Sequence, residues 1–180
     1  MLDVVFGLTG SNAAGKGEVA ACLGLEGFKL HSLSDVVREE AAKQGFPAER
    51  EHLIRIGNAL RQREGAGALA RRILPRLGRR DVVDSIRNPI EVEVLRTLPR
   101  FVLIGVRAPL ELRFRRSLAR DRAGDPQTLE RFRRREEEEN SSDPKAQQLE
   151  ATFRLADRVL ENDGGLDRLH EAVEQLLSEY

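Results

Sequence analysis

Tryptophan is missing from this 180-residue chain, tyrosine occurs once (Tyr180), and aromatic residues make up only 4% of it. Proteins that coat single-stranded nucleic acid stack bases on aromatic platforms, so that class is poorly supported from the outset. The charge balance agrees, because 30 basic and 30 acidic side chains leave a formal net charge of zero, whereas a nucleic-acid coat wants a clear basic excess. No nucleic-acid partner is expected. Cysteine is as scarce: Cys22 has no second thiol to pair with, which suits a cytoplasmic chain that uses its one thiol for packing. No apolar run approaches the ~20 residues of a membrane helix, and Met1-Leu2-Asp3 lacks the basic start of a targeting leader. No membrane partner is expected either. Lysine is confined to positions 16, 29, 43 and 145, so arginine, whose planar fork grips phosphate bidentately, carries nearly all the positive charge.

What is present is a glycine-rich turn, Gly10-Ser11-Asn12-Ala13-Ala14-Gly15-Lys16-Gly17. Residues 2–8 ahead of it are apolar except Asp3 and Gly7 and predict a buried parallel strand. Glu18-Val19-Ala20-Ala21-Cys22-Leu23 behind it has helical spacing. Strand, turn and helix start make a phosphate cradle, in which converging backbone N–H groups and the helix N-terminus attract anionic oxygen and Lys16 reaches the terminal phosphates. This is the spacing of the P-loop, with ATP and Mg²⁺ as its usual company. Gly17 stands where Ser or Thr normally ligates magnesium, and the next residue, Glu18, either helps to hold the ion or points away.

At 180 residues the chain suits one domain, a monomer or homodimer, with a substantial core. With the P-loop so early, nothing is expected ahead of the catalytic domain. Residues 27–31 predict a second strand, with Ser34 as N-cap of a helix carrying Asp35 and Arg38. Residues 47–77 predict a helical excursion broken at Gly65-Ala66-Gly67, with Arg61 facing an acceptor or plain solvent. The stretch Asp81-Val82-Val83-Asp84-Ser85-Ile86-Arg87-Asn88-Pro89 ends a buried strand at Asp84, beside the P-loop in a parallel sheet. There Asp84 can orient magnesium through water and Arg87 can bind the phosphoryl group in flight, or Asp84 caps the helix that Pro89 opens. Residues 101–106 are apolar throughout and predict a strand buried on both faces. The following helix ends among Arg113, Arg115, Arg116, Arg120 and Arg122, with Asp125 and Pro126 expected to start the next one. The arginine and glutamate run at 131–139 predicts a solvated helix, with Arg131 or Arg135 turned to the phosphates, and residues 140–144 a linker. Residues 156–166 predict a last short strand and turn.

Several of these motifs resemble those of the P-loop nucleoside monophosphate kinases. Ser34-Asp35-x-x-Arg38 resembles the Gly-Asp-x-x-Arg segment of adenylate kinase, whose arginine holds the acceptor phosphate. Gly15-Lys16-Gly17 shares that family's Gly-Lys-Gly, although Glu18 replaces the threonine that follows there. Arg116 and Arg120 are similar to the lid entry, where one arginine stacks on adenine and the next meets phosphates. The Asp-x-Ile-Arg-Asn-Pro form at 84–89 and the ending around Asn162 look closer to dephospho-CoA kinase. The resemblance implies a three-layer α/β/α sandwich on a five-stranded parallel sheet. It also implies a core at 1–33, 78–115 and 145–180, an acceptor-binding insert at 34–77 and a short lid at 116–140. In it the P-loop, Glu18, Arg116, Arg120 and Asn162 hold ATP, while Asp35, Arg38, Arg61 and Arg87 hold a nucleoside or deoxynucleoside monophosphate. Lys16, Arg87, Asp84 and Arg120 are the catalytic set. Transfer to a nucleotide hydroxyl, as in dephospho-CoA kinase, is the alternative, with Asp35 or Asp84 as base. A nucleotide-dependent switch or assembly ATPase is a third class, although no Asp-x-x-Gly switch or Asn-Lys-x-Asp guanine reader is found.

Overall fold

Val4–Thr9 form the central strand β1, and all six residues are buried. Their side chains alternate between two cores, as the period of a strand requires. Val4, Phe6 and Leu8 join one apolar cluster and Val5 the other, so each face of the sheet needs its own helical cover. The computed structural model of the protein describes residues 3–121 and 124–180; Met1, Leu2 and the expected lid residues Arg122 and Ala123 lie outside them.

In chain order, β1 is followed by α1 (Lys16–Leu25), β2 (Lys29–Ser32), α2 (Leu33–Lys43), α3 (Arg50–Glu64), α4 (Ala68–Ile73) and a 3₁₀ turn at Leu74–Arg76. Then come β3 (Arg80–Asp84), α5 (Pro89–Leu95), β4 (Phe101–Arg107), α6 (Leu110–Arg120) and α7 (Leu129–Glu138). The chain closes with α8 (Leu149–Phe153), β5 (Arg158–Glu161) and α9 (Leu166–Ser178). The strands lie in the order β2-β3-β1-β4-β5 and every pairing is parallel. Val19, Ala20 and Leu23 of α1 and Leu169, Val173 and Leu176 of α9 cover one face. On the other, α2 to α5 bury Val36, Leu60, Leu69 and Leu95 against Val83 and Leu103. This is the three-layer α/β/α sandwich expected, with five strands. The helices of the expected insert are continuous with this second core rather than a lobe apart from it.

The order places the site. Leaving β1 the chain travels toward β2, and leaving its neighbour β3 it travels toward β4, so a crevice opens at the carboxyl ends of these two strands. The loops after Thr9 and Asp84 line it.

Three boundaries differ from expectation. Strand β2 begins at Lys29, and α2 is capped by Ser32, whose Oγ accepts from the Ser34 N–H at 3.2 Å. Leu33 is already helical and buried, so the cap falls where the strand ends rather than at Ser34. Helix α7 starts at Leu129 behind Thr128, whose hydroxyl accepts from the Arg131 N–H. Asp125 does not cap it: its carboxylate turns inward to Ser117 Oγ at 3.2 Å and Arg120 at 2.8 Å. The expected linker folds back on the core, with Asn140 bridging Gln148.

Candidate active site

Two glycines make the loop after β1 possible. Gly10 has φ +136°, and a Cβ there would lie 2.2 Å from the Val106 carbonyl oxygen. Gly15, at φ +109°, starts α1, and its Cβ would fall 2.1 Å from Asn162 Nδ2. Ala13 also takes a left-handed turn, φ +60°, a strained conformation of the kind that collects at functional sites. Lys16 folds back over the loop and donates to the carbonyls of Gly10 (2.6 Å) and Ser11 (3.0 Å). Partial burial of its ammonium against the loop lowers its pKa to about 8. Arg87 and Arg113 push the same way, while Asp84 and Glu139 oppose them. Beside Gly17 there is open space, and Glu18 is exposed on the first turn of α1.

Across the crevice, Asp84 ends β3 with its Oδ1 buried and without a hydrogen-bond partner among the described residues. Its other oxygen faces Ser85 Oγ at 3.4 Å, which in turn accepts from Ser32 Oγ at 3.2 Å. Ser85 holds φ +67° and is a residue that the sequence reading missed; a non-glycine residue in that conformation leaves no pattern there. Asp84 does not cap α5, because Asn88 does so with Glu91 in a reciprocal capping box. Arg87 points to Gln147 Oε1 (3.2 Å) and Glu139 (3.5 Å).

These residues fit a hydrated magnesium ion. An orphaned carboxylate oxygen waits at Asp84, Gly17 offers no hydroxyl, and no cluster of three metal-ligating side chains occurs among the described residues. Magnesium bound through one carboxylate, water and substrate phosphates needs no more.

Helix α6 brings arginines from a third side. Arg120 donates to Asp125 (2.8 Å) and Asn12 Oδ1 (3.4 Å), and its Nε is buried without a partner among the described residues. Arg116 donates to Asn162 O and Oδ1, both at 3.1 Å, and no ion pair is formed by it among the described residues; burial lowers its pKa. Asn162 in turn donates to the Ala14 carbonyl at 2.8 Å. In this structure, therefore, Arg116 and Asn162 brace the P-loop from behind. Arg113, to which the sequence assigns no role, is the third arginine that α6 brings to the site. It is buried, donates to Ala108 O (3.0 Å) and Asn12 O (3.3 Å), and pairs with Glu136 of α7. Its spacing from Arg116 and Arg120, three and seven residues, puts all three on one helix face and was the available signal.

Of the residues expected to bind an acceptor, Arg38 is an exposed partner of Asp35 on α2. Arg61 is buried and donates twice to the wholly buried Glu91, so the expectation of an acceptor-binding Arg61 is corrected. Its position on α3 turns it toward α5 and away from solvent. Arg135 donates to the Gly124 carbonyl.

No family model matches the chain. Among curated relatives, a UPF0200 protein of Sulfurisphaera tokodaii is 31% identical over 175 residues, covering 96% of this chain and 95% of that one. Among solved structures, TT1252 from Thermus thermophilus superposes with TM-score 0.62 at 27% identity, covering 99% and 98% of the two chains. Shikimate kinase from Acinetobacter baumannii, in complex with shikimate, gives TM-score 0.61 at 17% identity over 98% and 93%. At that identity the likeness shows the fold alone, which the chain shares with that kinase.

Proposed function

The chain belongs to the UPF0200 protein family, and from the geometry of its site we propose that it is an ATP-dependent kinase. In this reading it moves the γ-phosphoryl group to a nucleoside or deoxynucleoside monophosphate. The observation that carries the reading is Lys16, a half-buried ammonium folded over the loop, whose hydrogen bonds among the described residues go to the carbonyls of Gly10 and Ser11. A cation in that state gains strongly from a polyphosphate.

The P-loop amides and Lys16 grip the β and γ phosphates, and Arg120, next to Asn12, meets them from α6. Arg116 and the turn at Asn162 stand toward the donor's base, and Arg38 holds the acceptor phosphate once freed from Asp35. The bond from Pγ to the β–γ bridging oxygen breaks as the acceptor oxygen attacks, and ADP leaves. Arg87 stabilises the charge spread over the phosphoryl oxygens between them. Asp84, through water, and Glu18, on the same helix turn as Lys16, would hold a magnesium ion, which would supply neutralisation of the phosphate oxygens.

A hydroxyl acceptor is the second reading, favoured by one observation: Arg61 is spent on Glu91, which leaves fewer cations for an acceptor phosphate. Asp35 or Asp84 would then take the hydroxyl proton. A coupled assay with ATP and Mg²⁺ across all ribo- and deoxyribonucleoside monophosphates and dephospho-CoA tests both. Lys16→Ala should lower transfer by about a hundredfold or more while the fold persists, and unchanged turnover would refute the P-loop assignment. Loss of activity in Asp35→Asn would favour the hydroxyl acceptor.

A further inference from the structure

Glu91 takes no part in the chemistry above, yet its side chain is wholly buried on α5. Four donors converge on it. One oxygen accepts from Arg61 Nε (3.0 Å) and Nη2 (2.8 Å), the other from the backbone N–H groups of Arg87 (2.9 Å) and Asn88 (3.1 Å). Every partner is a donor, so only an acceptor on both atoms will serve; a glutamine would turn an NH₂ against an N–H. A buried ion pair is poor evidence of stabilisation, since apolar residues of like volume hold two helices together as well or better. What apolar packing cannot do is fix two backbone N–H groups in the loop that carries Arg87. The same loop is held from its other side. Asn88 Nδ2 donates to the carbonyls of Pro144 (2.8 Å) and Ala146 (2.7 Å), and the Gln148 N–H donates to the Arg87 carbonyl (2.8 Å).

We propose that Arg61 and Glu91 are positioning residues for phosphoryl transfer: the pair sets the backbone from which Arg87 reaches and ties that setting to helix α3. The inference rests on the kinase reading for its catalytic consequence, and on the hydrogen bonds alone for its structural one. Neither side chain touches substrate.

The test uses the double variant Arg61→Met with Glu91→Leu, which keeps volume without leaving a lone buried charge, and Arg61→Lys, which keeps the charge. The double variant is expected to fold, to lose protection of the Arg87 and Asn88 amides in hydrogen exchange, and to lose kcat by about tenfold with KM for ATP nearly unchanged. Arg61→Lys recovers part of the kcat and of the protection. Should the double variant not fold, Arg61→Lys alone decides, by reduced amide protection and kcat. Unchanged protection of the two amides overturns the proposal, as does a loss confined to the acceptor KM, which would make Arg61 a direct ligand. Absence of transfer by the wild-type protein would instead sink the kinase reading, and the exchange measurement would still decide the positioning.

Discussion

Lys16 shows how far one residue can be followed from its neighbours to a measurable property. Burial holds its pKa down to about 8, below the ordinary ~10.4 of a lysine. Phosphates favour the charged form and raise that pKa on binding, so complex formation takes up a proton where the free ammonium is partly neutral. Nucleotide affinity should therefore be level below about pH 8 and weaken above it, by up to ~10-fold per unit. Calorimetry near pH 8.5 in buffers of different ionisation enthalpy should register uptake of a fraction of a proton, and release of a proton would contradict the assignment. At this scale the sequence was informative where a motif imposes backbone geometry. Gly10, Gly15 and Lys16 were legible because a tight turn admits few residues at φ +136° and +109°. Arg38 was marked by its Ser-Asp-x-x-Arg motif, whereas Arg61, an arginine on an amphipathic helix, had no motif around it to choose between acceptor and solvent. Glu91, the partner that holds it, lies 30 residues beyond Arg61.

At the scale of an element, α7 is where expectation and structure part most. Its block of arginines followed by glutamates was readable as a helix, and Arg134 pairs with Glu138 one turn on, at 3.9 Å. Period alone could not tell which face meets the crevice. The face that does so is acidic: Glu136 reaches the buried Arg113, and Glu139, just past the helix end, reaches Arg87. Asp125 and Pro126 likewise looked like a helix start, until the pull of Ser117 and Arg120 on the Asp125 carboxylate is known. An anionic substrate approaching Arg87 must compete with Glu139. Glu139→Gln should then tighten binding of ADP or inorganic phosphate by roughly two- to fivefold, the worth of a partly exposed ion pair of up to ~1 kcal/mol. Weaker binding in a normally melting variant would show that the carboxylate orients Arg87 rather than competing for it.

The whole molecule was the most legible scale. A buried strand ahead of a glycine-rich turn, a doubly buried strand at Phe101–Arg107 and helices between them leave few alternatives to a parallel sheet with right-handed crossovers. Strand order and register needed the structure. With them, the crevice between β1 and β3 is faced by Lys16 from the loop after β1 and by Asp84 and Arg87 from the end of β3 and the loop after it, two segments anchored in different parts of the two cores. A ligand that bridges these loops ties independent segments together and must stabilise the fold as a whole. At about 100 times its Kd, Mg–ATP would add ~2.7 kcal/mol to the unfolding free energy, and a domain of this size gains ~2–4 °C in Tm per kcal/mol. A rise of roughly 5–10 °C is therefore expected in a thermal melt. Lys16→Ala should abolish it, with its own melting point in the absence of nucleotide close to or above the wild-type value, because the desolvated charge is gone. A wild-type Tm indifferent to ATP and GTP, with and without Mg²⁺, would mean that the crevice is not a nucleotide site.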